Sequence, residues 1–356
     1  MPETPPDDIF ALNVFRILRD YFDITLYRTR EKEVFFQANP VLHRRGWKRE
    51  LNRRLAQIQA RVKIARDGDR YFLTASPLPR TLGRPPLVNI LLFILTFLTV
   101  LLMATFTQVG EEVFDNPALL TRGLPFTLVL LTILLVHEMG HFRAGHKRGV
   151  IMSYPYFIPA PTFLGTFGAV IRSRTPIRTK NDLIMVGAAG PLAGAVPAIL
   201  AIAWGYSQSP IAPIPEGPIL GFGHSLLTLL VQQIMFGPVP DGYGLHLSSI
   251  ALAGQVGLLV TMLNLLPLGQ LDGGHIMYGL FGRRQYKLAA IFMAGLFFLG
   301  WFYWKGWWLW LVIATLMRPF HPPVIDESTP LDRKHRIIGW AAIILFILTF
   351  APLPIY

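Results

Sequence analysis

The chain has 356 residues, of which 52% are hydrophobic and only 15% are charged, and its net charge is +12. Soluble globular chains have about 25% charged residues, so this composition argues against an ordinary soluble enzyme and against a disordered chain. The sequence contains no cysteine, which excludes disulfides and thiolate ligands and leaves His, Asp and Glu to hold any metal.

The first 80 residues are predicted to form a small, basic, soluble α/β domain. Its predicted elements are a helix at 9–19, strands at 22–27 and 33–37, a basic amphipathic helix at 47–60 and a hairpin at 62–75 around Asp67-Gly68. No nucleic-acid-binding motif is present, so a solvated basic face is favoured over nucleic-acid or lipid binding, and no nucleic-acid partner is expected. The N-terminus is acidic and then mixed, without an apolar run, so no cleavable signal peptide is expected.

From residue 87 onward, long apolar runs predict membrane helices, because a helix needs about 20 residues to cross a hydrocarbon core of ~30 Å. The candidate spans are 87–106, 124–146, 183–206, 248–268, 288–304, 306–318 and 336–352. Residues 218–237 fit a surface-lying or re-entrant element as well as a full span. We therefore expect a polytopic α-helical membrane protein with about six or seven transmembrane helices.

Charges beside these runs predict the orientation. The loop after the first run carries Glu111, Glu112 and Asp115 against one arginine, whereas basic residues flank the second and third runs and fill the stretch 283–287. Cytoplasmic loops are enriched in Lys and Arg, so the N-terminal domain and 283–287 are predicted to be cytoplasmic. If 218–237 crossed the membrane, the basic stretch 283–287 would face the outside. The assignment therefore favours seven crossings, without one at 218–237.

The clearest chemical motif is His-Glu-Met-Gly-His at 137–141, at the end of a uniformly apolar run. On a helix, His137 and His141 are four residues apart and share one face, so both imidazoles can bind one Zn²⁺. Glu138 flanks the metal and is the candidate general base. Such residues in a membrane span are costly unless they pair or bind something, which favours a metal site over a solvated helix end.

A third ligand is sought in the stretch 264–275, Asn-Leu-Leu-Pro-Leu-Gly-Gln-Leu-Asp-Gly-Gly-His. Pro267 and the glycine pair are predicted to break the helix, which puts Asp272 on irregular backbone at membrane depth. Such backbone is tolerated only where it is buried in protein or lines a cavity. Asp272 is the leading candidate ligand, His275 is a competing one, and a simple turn aspartate is an equally compatible interpretation.

The paired motifs resemble the site-2 protease family of intramembrane zinc metalloproteases. Further matching segments are Gly-Pro-Leu-Ala-Gly at 190–194, Pro-Tyr-Phe-Ile-Pro at 155–159 and the run 164–171, which most resembles bacterial members akin to the chloroplast EGY-type proteases. The resemblance implies that His137, His141 and Asp272 bind one Zn²⁺, that Glu138 is the general base, and that Asn264 holds the scissile carbonyl.

The resemblance also implies substrates and a location. The expected substrates are transmembrane proteins, cut in or near their membrane helices with release of cytoplasmic fragments. The protein is expected to lie in the lipid of a bacterial cytoplasmic membrane, with its active site toward the cytoplasmic side. The organisation would be a soluble domain at 1–80, a protease core at 81–300 and C-terminal transmembrane helices at 301–356. A homo-oligomer is left open.

The run 164–171 is β-prone and predicts a short membrane-associated β segment. Gly165 and Gly168 permit close backbone approach, so an exposed edge there is predicted to position a substrate strand. A re-entrant hairpin that merely packs on the core is an equally compatible interpretation.

Two other functional classes are weighed. A metal transporter more often has several midplane ligands in two related halves, whereas one cluster beside a glutamate is found here. A catalytically inactive scaffold would have lost Glu138 or one of the ligands, and all four residues are present.

Overall fold

The computed structural model describes residues 9–30, 33–41, 46–58, 60–67, 70–77, 85–214 and 221–354. The chain divides into two compact units, one of residues 1–83 with 173–176, and the other of residues 84–172 and 177–356.

The first unit has a four-stranded antiparallel sheet with strand order β1-β2-β4-β3. Its elements are α1 Ile9–Leu18, β1 Phe22–Arg30, β2 Glu33–Pro40, α2 Trp47–Gln57, β3 Ala60–Asp67 and β4 Arg70–Pro77. The apolar sides of both helices, including Val14 and Leu55, share one buried core with Phe22, Phe36 and Leu73 of the sheet. The predicted N-terminal sheet with helices is confirmed, while the turn after Asp67 lies outside the described residues.

The second unit is mostly helical. Its helices are α3 Leu87–Val109, α4 Glu112–Asp115, a 3₁₀ helix Pro117–Gly123, α5 Leu124–Lys147, α6 Lys180–Ser207, α7 Leu226–Phe236, α8 Ser249–Asn264, α9 Asp272–Phe281, a 3₁₀ turn Gly282–Arg284, α10 Gln285–Phe302, α11 Gly306–Leu316 and α12 Arg333–Thr349. Two short hairpins pair β5 Tyr156–Pro159 with β6 Thr166–Val170, and β7 Ile211–Pro213 with β8 Tyr243–Leu245.

Within the described ranges, four helical stretches are long and apolar enough to cross a membrane. They are Leu87–Val109, Pro117–Lys147, Lys180–Ser207 and Asp272–Phe302. The helical membrane fold is confirmed, and the larger number of spans stays a prediction. The fourth stretch already begins at Asp272, whereas the sequence placed a span at 288–304.

Helix α7 covers most of the ambiguous run 218–237, whose first three residues lie outside the described ranges. At 1.5 Å per residue, its 11 residues extend about 16 Å, which is much less than a ~30 Å hydrocarbon core. This helix is therefore too short to be the full span that the sequence left open.

The helix break before Asp272 differs from the prediction. The irregular backbone is confined to residues 265–271, and Asp272 is the first residue of α9, so its predicted place on irregular backbone was wrong. Gly269 turns the chain with φ of +55°, and the absence of a side chain at Gly273 lets the helix start against the Leu265 carbonyl oxygen. A carboxylate in the first helical turn is also stabilised by the positive end of the helix dipole.

Helices α5, α6 and α8 pack against one another, and α9 packs against α6. Buried Ile133, Ala198, Ile202 and Leu258 join the first three helices in one apolar cluster. This packing holds the middle of α5, where the two histidines lie, inside the helical unit.

The β5–β6 hairpin packs along α3. The Asn89 side-chain amide donates to the Pro155 carbonyl oxygen at 2.8 Å, and the Thr99 hydroxyl donates to the Gly165 carbonyl oxygen at 2.7 Å. Phe93 and Phe157 form an edge-to-face pair with ring centroids 4.9 Å apart. The hairpin is thus anchored to the first membrane helix.

Candidate metal centre

Helix α5 brings two imidazoles together because His137 and His141 are four residues apart on one helix face. Their Nε2 atoms lie 3.1 Å from each other. Both residues are buried. Two adjacent, buried imidazole nitrogens form half of a tetrahedral metal site.

The first turn of α9 supplies a carboxylate to the same point. The Oδ2 atom of Asp272 lies 3.3 Å from His137 Nε2 and 3.2 Å from His141 Nε2. Tetrahedral zinc with bonds of about 2.0–2.2 Å separates its donors by about 3.3–3.6 Å. The three observed separations, 3.1, 3.2 and 3.3 Å, lie at or just below the short end of that range. The donor set of two imidazoles and a carboxylate matches catalytic zinc sites.

A backbone carbonyl fixes the orientation of one ligand ring. His141 Nδ1 lies 2.8 Å from the Val186 carbonyl oxygen of α6. A carbonyl only accepts, so Nδ1 carries the hydrogen and donates, which leaves the Nε2 lone pair facing the metal position. This is the arrangement by which metal-binding histidines are held in one tautomer.

Glycines of α6 make room for these rings. A Cβ atom on Gly190 would lie 2.0 Å from His141 Nε2, and one on Gly194 would lie 2.9 Å from the Cβ of His137. A Cβ on Gly187 would lie 2.9 Å from the Cβ of His275, on α9. The small-residue spacing of α6 thus serves packing against both ligand-bearing helices.

The carboxyl group of Glu138 is available beside this site. Glu138 is only 5% exposed and follows His137 directly on α5. Successive helical residues are about 100° apart, so its side chain leaves the helix away from the shared face of the two histidines. Its position suits a group that acts next to the metal rather than one that binds it.

His275, the competing candidate for the third ligand, has another partner. Its Nδ1 lies 2.7 Å from Nε2 of His321, which follows α11. Burial lowers the pKa of His321 to about 4, so this ring is neutral at pH 7. The donor cluster found among the described residues includes Asp272 and not His275.

Sequence reasoning missed the buried residue Gln285. Its amide nitrogen donates to the carbonyl oxygens of Pro267 and Pro319 at 3.4 Å and 3.3 Å, and its Oε1 accepts from the backbone N–H of His321 at 3.2 Å. These bonds tie the turn before Asp272 to the segment after α11. Nothing in the local sequence identifies Gln285, because its partners are distant backbone groups.

The three residues predicted to position a substrate lie in different settings. Asn264 is the last residue of α8. The carbonyl oxygen of the next residue, Leu265, lies close to Gly273, which directly follows Asp272. Gly165 has φ of +73° and is closely approached by the backbone of α3, whereas a Cβ on Gly168, with φ of +94°, would meet nothing within 4 Å.

Two buried histidines and a partly buried aspartate, among helices of membrane-spanning length, define the class of a membrane metallopeptidase. Residues 125–302, half of the chain, match the family described as Peptidase family M50. The chain therefore belongs to peptidase family M50, the site-2 protease family, and the resemblance seen in its motifs is confirmed. The predicted enzyme class and cofactor, a zinc metallopeptidase, are confirmed at the level of this family.

Curated relatives include plant proteins named as zinc metalloproteases. "Probable zinc metalloprotease EGY2, chloroplastic" of Arabidopsis thaliana is 30% identical over 251 residues, which cover 68% of this chain and 44% of the relative. "Probable zinc metalloprotease EGY1, chloroplastic" of the same plant is 33% identical over 242 residues, covering 65% of this chain and 43% of the relative. The chain thus matches less than half the length of these relatives. No solved structure matches it significantly.

Proposed function

We propose that this protein is an intramembrane zinc endopeptidase that hydrolyses peptide bonds in or near the transmembrane helices of membrane proteins and releases their cytoplasmic fragments. The observation that supports this most is the meeting of the buried His137 and His141 with the partly buried Asp272 beside Glu138, among helices of membrane-spanning length. Membrane lipid surrounds such a protein, and a homo-oligomer stays a prediction.

The chain's own residues have separate tasks in this proposal. His137, His141 and Asp272 would hold the zinc, and the chemistry that a zinc ion would supply there is Lewis-acid activation of water. Glu138 accepts a proton from the attacking water and then gives it to the leaving amine. Asn264 holds the carbonyl of the bond to be cut.

Substrate binding is assigned to the β5–β6 hairpin. A helical substrate must unwind first, because its peptide bonds are engaged in intrahelical hydrogen bonds. In the described chain β6 pairs with β5 alone, and its Phe167 is 71% exposed. Its second edge therefore offers backbone groups to a substrate strand, as in β-augmentation, and Gly168 leaves open space beside that strand.

The proposed location is the cytoplasmic membrane of a bacterium, with the N-terminus and the active site toward the cytoplasm, although the matched plant relatives are named chloroplastic. The charge pattern supports the orientation, and labelling of cysteines tests it cleanly because the chain has none of its own. Single cysteines introduced at the exposed positions 114 and 283 should react from opposite sides of sealed vesicles. Reaction from the same side would contradict the orientation.

The catalytic proposal is tested with the substitution Glu138→Gln. It preserves side-chain size but removes the base, so cleavage of a detergent-solubilised single-span substrate should fall by about 10²–10⁴-fold while zinc content stays near that of the wild type. Cleavage and zinc are measured on the same preparation. Full cleavage by this variant would contradict the mechanism.

A further inference from the structure

A large cavity lies at the other end of the helices that form the metal centre. Its volume is about 990 Å³, at the upper end of the range of about 300–1,000 Å³ that ligand pockets occupy. Its wall includes residues of α3, α5, α6 and α8 and the β7–β8 hairpin. Polar groups are frequent in this wall and include Gln108, Tyr206, Gln208, His224, Gln232 and Gln255.

One acceptor in this wall has no partner among the described residues. Gln255 of α8 is 6% exposed, and its amide nitrogen donates to the Tyr206 hydroxyl oxygen at 3.0 Å. With the amide nitrogen facing that hydroxyl, the Oε1 atom is buried and has no hydrogen-bond partner among the described residues. A buried carbonyl oxygen without a partner is unfavourable, so a hydrogen-bond donor on a ligand that reaches this atom from the cavity would satisfy it.

The cavity is connected to the proposed path of the substrate. Phe163 and Leu164, at the tip of the β5–β6 hairpin, line it, and β6 begins two residues later at Thr166. On α8, Gln255 precedes Asn264 by nine residues, which corresponds to about 13 Å along the helix. On α5, Phe126 of the cavity wall precedes His137 by eleven residues, or about 16 Å.

A transmembrane substrate cut at the zinc must continue from the cleaved bond toward the opposite face of the membrane, because the hydrocarbon core is ~30 Å thick. The cavity lies away from the basic last turn of α5, which contains His146 and Lys147. It is therefore where the remaining part of the substrate would lie.

Building on the proposed function, we propose that this cavity binds the part of the substrate's transmembrane segment that remains membrane-embedded and helical beyond the unwound cleavage site. Because nine residues of a helix span about 13 Å, Gln255 selects segments carrying a hydrogen-bond donor about nine residues from the cleaved bond. The donor is a hydroxyl or amide hydrogen of the substrate, and Tyr206 orients the selecting amide. Segments with only hydrocarbon side chains at that level leave the Gln255 oxygen unsatisfied and bind less tightly.

The first test compares matched substrates that carry Thr or Val, which are similar in volume, at each position five to thirteen residues from the cleaved bond. Wild-type enzyme should have a kcat/KM roughly three- to tenfold higher for Thr at about the ninth position, mainly through KM. Gln255→Leu should bring this ratio close to one, and Tyr206→Phe, which retains the ring, should reduce it. Thr261→Val is the matched control, because Thr261 is buried on α8 and bonds the Gly257 carbonyl oxygen of its own helix; it should retain the ratio.

A second test is independent of cleavage. Gln255→Cys is combined with single-cysteine substrates, and disulfide formation should be greatest about nine residues from the bond to be cut. Loss of cleavage for every substrate by zinc-loaded enzyme, with this crosslink present, would overturn the proposed function but support the binding site. Three results would overturn the binding site. They are equal cleavage of all Thr and Val substrates, a Thr preference that survives Gln255→Leu, and the absence of a crosslink at every position. The absence of a crosslink would indicate that lipid or water fills the cavity.

Discussion

Glycines of α6 and glycines of the β5–β6 hairpin differ in the atoms that lie next to their missing side chains. At Gly190 and Gly194 the neighbours are the imidazoles that hold the zinc. At Gly165 the neighbour is the backbone of α3, and at Gly168 a Cβ would have nothing within 4 Å of it. Glycines at the metal centre thus make room for the ligand side chains. In the hairpin, Gly165 allows close packing on α3, whereas Gly168 leaves the space beside β6 open.

The largest effect is expected from Gly190→Ala. Its Cβ would lie 2.0 Å from His141 Nε2, so either the ring turns or α5 and α6 separate. Zinc binding should weaken by about 10–100-fold, as when groups that orient ligands are lost, and competition with a chelator measures this.

Gly295→Ala is the matched control for that variant, since a Cβ on Gly295 of α10 would meet nothing within 4 Å. It should keep the wild-type affinity for zinc. Equal zinc affinity in the Gly190 and Gly295 variants would contradict the claim that Gly190 makes room for the zinc-binding ring of His141.

A smaller effect is expected in the hairpin. Gly165→Ala combines a left-handed backbone with a contact of 2.5 Å to the Cα of Val100, whereas Gly168→Ala meets only the left-handed strain, about 1–2 kcal/mol. The melting temperature in detergent should therefore fall further for Gly165→Ala. The opposite order would show that the hairpin is not anchored through Gly165.

The two metal-ligating helices also differ in what the sequence reveals. The pair His137 and His141 is a local pattern, because a spacing of four residues defines one helix face. Asp272 lies 131 positions beyond His141 in the chain. The helix break made it the leading candidate among open alternatives, and the resemblance of its motif then implied its role as a ligand. Its backbone was predicted wrongly, since Pro267 and the glycine pair indicate a break but not the residue at which the next helix begins.

Several supports of the site could not be predicted because they depend on contacts between distant segments. The Val186 carbonyl that orients His141 is a backbone group, which every residue has. The Gln285 side-chain oxygen accepts from the backbone N–H of His321, which lies 36 positions away in the chain. The spacing of Gly187, Gly190 and Gly194 is typical of small residues at close helix contacts, but it does not reveal that histidines fill the space.

The central claim is that Asp272, and not His275, completes the zinc site with the two histidines of α5. The most direct measurement is the zinc content of purified wild type, Asp272→Asn and His275→Gln by elemental analysis. Wild type and His275→Gln should each hold about one zinc per chain, because the Nδ1 atom of His275 is engaged with His321, and Asp272→Asn should lose most of it. Zinc retained in Asp272→Asn and lost in His275→Gln would contradict the account.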